Sequence, residues 1–122
     1  MRLNDITREH FENPRNTGPL EGATHRGADT NPVCMDLMVI SLRVTEQGIE
    51  EARFEAEGCP PTYAAGSILT ERVRGQSVDQ ARAVAPEDVV EWLGGVPPGK
   101  EHVAHLAVSA LRRALDSPLN MQ

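Results

Sequence analysis

Thiols and aromatic rings are scarce in this sequence. Its 122 residues include only two cysteines, one tryptophan, one tyrosine and two phenylalanines. So few rings leave no platform on which nucleic-acid bases could stack. Positive charge is short too: 12 Lys and Arg against 18 Asp and Glu give a net charge of −6, which argues against a nucleic-acid or anionic-membrane partner. The acidic residues are spread along the chain and read as solvated surface. No apolar run approaches the roughly 20 residues of a membrane span, and Met1-Arg2-Leu3-Asn4-Asp5-Ile6 lacks an apolar signal core. A cytoplasmic address is expected by default. In a reducing cytosol, Cys34 and Cys59 are expected as free thiols or metal ligands rather than as a disulfide.

No internal repeat or low-complexity stretch interrupts the chain. Residues 1–122 fit one domain, long enough to bury about two-thirds of its unfolded surface. Asn4 to Phe11 reads as a short helix, broken by Asn13-Pro14 through Gly18-Pro19. Gly22 to Val33 reads as loop or weak edge strand. Met38, Ile40, Leu42 and Val44 then alternate with Val39, Ser41, Arg43 and Thr45, a strand period. After Glu46-Gln47-Gly48 the chain returns with Ala52, Phe54 and Ala56 on one face and charged residues on the other, predicting an antiparallel hairpin with one wet face.

The period changes after Gly58. Ala64, Ala65, Ile68, Leu69 and Val73 fit one helix face. Ser77 and Gln80 have capping-box spacing for a short turn. Glu87 to Leu93 follows Pro86 as another short helix. From about Lys100 to Leu115, the stripe Val103, Leu106, Ala107, Ala110, Leu111, Ala114 predicts the last helix. The expected class is α+β: a small antiparallel sheet of about three strands, with helices on one face.

Chemistry concentrates at three places. If the first strand starts near Cys34 without a bulge, Cys34 and Asp36 share the buried face of Met38, Ile40 and Leu42. A carboxylate there is costly unless it is paired or bound to metal; a bulge would turn it to solvent instead. Cys59 falls where the second strand meets a helix, with Pro60 and Pro61 suited to the first helical positions. Backbone N–H groups at a helix start favour a metal-binding thiolate; the plainer reading is a small buried thiol at a tight junction. His102 opens the last helix and serves equally as a capping residue. His105 lies one turn on, on the same face, and borders the apolar stripe. Val103 reads as core. His10 and His25 show no partner pattern. Ser67, Thr70 and Ser109 lack a base signature for nucleophilic catalysis, and no glycine loop cradles phosphate.

Taken in order, these segments resemble the U-type iron–sulfur cluster scaffolds: IscU, SufU and the N-terminal domain of NifU. The resemblance runs through His10-Phe11-Glu12-Asn13-Pro14-Arg15-Asn16, Pro32-Val33-Cys34-Met35-Asp36, Ala52-Arg53-Phe54 to Gly58-Cys59, Ala64-Ala65-Gly66-Ser67, and Val96-Pro97-Pro98-Gly99-Lys100-Glu101-His102. It covers nearly the whole chain. Without the insertion that SufU carries before the last helix, the IscU/NifU branch is the nearer one.

The resemblance implies a non-enzymatic scaffold or carrier that holds iron or a [2Fe–2S] cluster through Cys34, Asp36, Cys59 and His102, with zinc able to enter the same site. It implies a cysteine desulfurase as sulfur source, acceptor apo-proteins, and an Hsp70-type chaperone that grips Pro97, Pro98 and Lys100. The family pattern also has a third cysteine, its usual persulfide acceptor, where this chain has Val103, and a glycine where it has Met35. Val103 can neither accept sulfur nor bind iron. A zinc-binding, non-scaffold regulator of the assembly machinery is therefore the alternative, and His105 is a possible substitute ligand.

Overall fold

The computed structural model describes residues 1–119. Its elements run α1 (Asp5–Glu12), β1 (His25–Asn31), β2 (Asp36–Thr45), β3 (Gly48–Glu57), α2 (Pro60–Val73), α3 (Val78–Arg82), α4 (Pro86–Trp92) and α5 (His102–Leu115). The strands form one antiparallel sheet in the order β1-β2-β3. Register pairs Gly27 with Ile40, and Ile40 with Phe54. This is the α+β arrangement expected from the sequence, with the predicted hairpin turning at Glu46-Gln47.

Parity places the core. Met38, Ile40 and Leu42 of β2 and Ala52 and Phe54 of β3 are buried, and they join Ile68, Leu69 and Val73 of α2 and the whole predicted stripe of α5 in one cluster. Apolar area removed from water at this face is the main stabilising term. The wet face of β3 carries Glu55 and Glu57, both exposed. The capping box also forms as read: Gln80 N–H donates to Ser77 Oγ at 3.1 Å, and Ser77 N–H to Gln80 Oε1 at 2.9 Å.

β1 is the element the sequence signals least. His-Arg-Gly-Ala-Asp-Thr-Asn is poor in β-branched and aromatic residues, yet all seven residues pair with β2. Tertiary packing holds it. α5 crosses so close that a Cβ on Gly27 would run into the backbone of Arg113 and Ala114. The chain after α5 then borders the strand, with Leu119 N–H donating to Thr24 O at 2.8 Å and Pro118 bridging His25. Among the described residues, no helix is long and apolar enough to cross a membrane.

Candidate metal centre

Three elements end at one point. Asp36 is the first residue of β2 and His102 the first of α5, while Cys34 lies in the four-residue link between β1 and β2. No bulge intervenes at the start of β2, so Asp36 keeps the parity of Met38 and is only 2% exposed. The link is a shaped turn. Asn31 Oδ1 accepts the N–H groups of Val33 at 3.1 Å and Cys34 at 3.3 Å, an Asx-type anchor. Met35 completes the reversal at φ 59°. The outcome is that one donor atom each of Cys34, Asp36 and His102 lies within 4.8 Å of the others.

The carboxylate is held from two sides. His102 Nε2 stands 2.8 Å from Asp36 Oδ2 and donates to it. Behind Asp36 is Gly58, at the strand-to-helix junction, where an added Cβ would collide with Asp36 Oδ1 and approach Thr62 Oγ1 to 2.8 Å. Only a glycine leaves room for Asp36 to face the cluster. For a metal–ligand distance of about 2.0–2.3 Å, tetrahedral donors sit roughly 3.3–3.8 Å apart. The 2.8 Å Asp36–His102 contact is tighter. An entering ion therefore has to take the place of the proton between them. A thiol, a carboxylate and an imidazole together suit a borderline metal such as zinc or iron.

Cys59 is the N-cap residue of α2, followed by prolines at the first two helical positions, as the sequence suggested. Its thiol is half-buried, lies 3.4 Å from Thr62 Oγ1, and is not part of the three-donor convergence. Pro60 and Pro61 also remove two of the N–H groups that would otherwise face its sulfur. His105 does not join the cluster either. It is exposed, and with Asp29, Ser109 and Arg113 it lines an open groove of about 520 Å³ that reaches His102. Asp29 is held below its ordinary carboxylate pKa chiefly by the hydroxyl of Ser109. Val103 is fully buried in the core, as its stripe position implied. Pro97 to Lys100 form a turn closed by Lys100 N–H donating to Pro97 O at 3.0 Å, with Gly99 at φ 83°; Pro98 and Gly99 project into solvent beside the start of α5.

Two features escaped the sequence reading. His10 does have a partner: its Nδ1 is 2.7 Å from Ser67 Oγ, which also accepts the N–H of Arg15 at 2.9 Å. The serine thus has a base beside it after all, but it is fully buried, so the pair staples α1 and the following loop to α2. Burial pushes the His10 pKa below its usual value, and Arg15 adds to that. The second feature is the Gly58–Asp36 fit. Its signal, a glycine directly before Cys59, was visible but has no periodicity to interpret it.

The structure is a small antiparallel sheet under helices, with thiol, carboxylate and imidazole side chains gathered at its end. Comparison with known proteins places this fold in a family. The NifU-like N terminal domain family model matches residues 3–119. The iron–sulfur cluster assembly scaffold protein IscU 1 of Archaeoglobus fulgidus is 42% identical over 107 residues, covering 88% of this chain and 70% of that protein. IscU of Escherichia coli K12 is 38% identical over 119 residues, covering 94% and 92%. Among solved structures, a chain described as a hypothetical protein superposes with TM-score 0.76 at 26% identity, covering 91% of this chain and 94% of that one. The N-terminal NifU-like protein of Brucella abortus gives 0.64 at 16% identity, covering 93% and 87%. This chain belongs to the NifU-like N-terminal domain family.

Proposed function

We propose that the protein is an iron–sulfur cluster assembly scaffold or carrier. Its cargo is iron or a [2Fe–2S] cluster, held by Cys34, Asp36 and His102, with Cys59 as the fourth donor from the adjacent helix start. The observation that carries this is the convergence of three donors within 4.8 Å, in a chain 38–42% identical to proteins named IscU scaffolds. The donor set is mixed, which cluster chemistry tolerates. Such a protein works without turnover of its own. A cysteine desulfurase supplies sulfur, apo-proteins receive the cluster, and the projecting Pro97-Pro98-Gly99-Lys100 turn fits a chaperone of the Hsp70 type. Reduced thiols suit a cytoplasmic setting. The test is anaerobic reconstitution with iron, sulfide and a desulfurase: the reading expects charge-transfer absorption and bound iron, and a colourless, iron-free product would refute it.

Val103 favours a second reading. With a buried valine at the third-cysteine position, the same donors satisfy tetrahedral zinc, and the protein regulates assembly without building clusters. Stoichiometric zinc as purified, unmoved by excess Fe²⁺, supports this reading; zinc lost on mild dialysis counts against it.

A further inference from the structure

We propose that the outer edge of β1 at Ala28 and Thr30, with the groove between that edge and α5, docks an extended acidic segment of another protein. The segment joins the sheet as a strand beside β1. The site does not depend on what the donor cluster holds.

The ladder shows where the edge is open. On the outer side of β1, His25 bridges Pro118, Arg26 N–H donates to Ser117 O at 3.3 Å, and Leu119 N–H donates to Thr24 O at 2.8 Å. Arg26 therefore turns its main-chain groups away from β2. By the alternation of a strand, so do Ala28 and Thr30. Both are exposed, and among the described residues no main-chain group outside the sheet ladder bonds to either. Thr30 N–H is held only by the carboxylate of its neighbour Asp29, at 2.8 Å. Free N–H and C=O groups along an edge are a template for another strand. The chain after α5 already uses the half from Thr24 to Arg26 in this way.

An edge strand beside a helix can receive an extended peptide: main-chain bonds give affinity, and the side walls give selectivity. Here the wall is the outward face of α5, and the groove of about 520 Å³ runs along it from Asp116 to His102. A partner seated there is held next to the donor cluster.

Charge selects the occupant. Of the acidic groups lining the groove, Asp116 is paired with Arg82 at 2.7 Å, and Asp29 accepts from Ser109. Arg113 is 62% exposed and stands 3.9 Å from Asp29, a loose contact, and Arg112 is exposed beside it. Arg26 is exposed at the end of the open edge. In a chain of net charge −6, these arginines favour carboxylates on the incoming strand. A second copy of this chain fits less well. Pairing β1 with its own copy needs the edge open along the whole strand, and Ser117 to Leu119 occupy half of it.

The test selects peptides on the intact chain from a displayed library of random short sequences, then titrates the most enriched peptide, made synthetically. Ala28→Pro removes the outward N–H without touching the ladder to β2, a change that edge strands tolerate. Arg113→Glu reverses the charge. The expected result is an enriched set rich in acidic and β-branched residues, with binding weakened about tenfold in each variant. Amide hydrogen exchange at Ala28 and Thr30 should slow when the peptide binds the unaltered chain, a measurement that stands whatever the fold of the variants. No enriched peptide, unchanged exchange at Ala28 and Thr30, or equal affinity for the unaltered chain and Arg113→Glu would each overturn the proposal. So would a dimer of the free chain, seen by sedimentation, that Ala28→Pro dissociates, because a second copy is then the occupant.

Discussion

His102 Nε2 and Asp36 Oδ2 stand 2.8 Å apart although 66 residues separate them in the chain. The contact joins the start of β2 to the start of α5 and satisfies a carboxylate that would otherwise be buried alone. On the proposed reading, it also keeps both groups within reach of a metal ion. Asp36→Asn retains the size and a hydrogen-bond acceptor but not the charge. We expect it to fold and to lose about tenfold or more in metal affinity, measured by competition with a chromophoric chelator.

Gly58→Ala tests the room behind Asp36. The new methyl group would collide with the carboxylate and crowd Thr62. The expected cost is about 1–3 kcal/mol in urea unfolding, together with weakened metal binding as Asp36 is pushed from the cluster. Equal metal affinity in a stable variant would mean that Asp36 is free to rearrange.

Met35 occupies left-handed backbone at φ 59°, where the family pattern has glycine. A side chain there costs roughly 1–2 kcal/mol, and the greater unfolded-state freedom of glycine gives back about 0.5–1 kcal/mol of that. Met35→Gly should therefore change stability only slightly, by about 0–1.5 kcal/mol in the stabilising direction. Denaturant unfolding of the variant beside the parent checks this.

The His10–Ser67 staple predicts a pH dependence. The His10 pKa in the folded protein lies below 6.5, chiefly through burial. In that pH range the unfolded chain binds more protons than the folded one, so stability rises with pH. The contribution is complete above the unfolded value of about 6.5 and is lost as pH falls from there through the lower folded value. His10→Gln should flatten stability between pH 7 and the onset of carboxylate protonation (below about pH 5); melts across that range give the answer.

Val103→Cys places a thiol in a fully buried position. Losing part of the valine's packing should cost about 1 kcal/mol. The new thiol should react with a thiol reagent more slowly than Cys34. Labelling of residue 103 as fast as Cys34 would show that this end of α5 opens readily.

Much of this was legible in the sequence because periodicity carries it. The alternation from Met38 to Val44 fixed β2 and, by parity, the inward side of Asp36; the same parity put Cys34 on that face, but the strand begins only at Asp36 and the turn at Met35 leaves Cys34 exposed. The α5 stripe set Val103 in the core. The family resemblance named Cys34, Asp36, Cys59 and His102 together, and of these the fold brings Cys34, Asp36 and His102 close. β1 was nearly invisible, because its pairing comes from α5 crossing at Gly27 and from the chain after α5, not from its own residues. Cys59 stood among the expected ligands, and His105 only as a possible substitute. The three-dimensional position of each side chain, one turned toward Thr62 and one exposed, decides otherwise for the close cluster, and no local pattern encodes that. The His10 staple joins residues 57 apart and likewise has no local signature.

The most direct measurement is X-ray absorption at the metal edge of protein loaded anaerobically with one equivalent of zinc or of ferrous iron. The account predicts a first shell containing sulfur together with nitrogen or oxygen, with sulfur reduced in Cys34→Ser and the imidazole signature lost in His102→Ala. A shell of oxygen and nitrogen alone, or one unchanged by both substitutions, would contradict it.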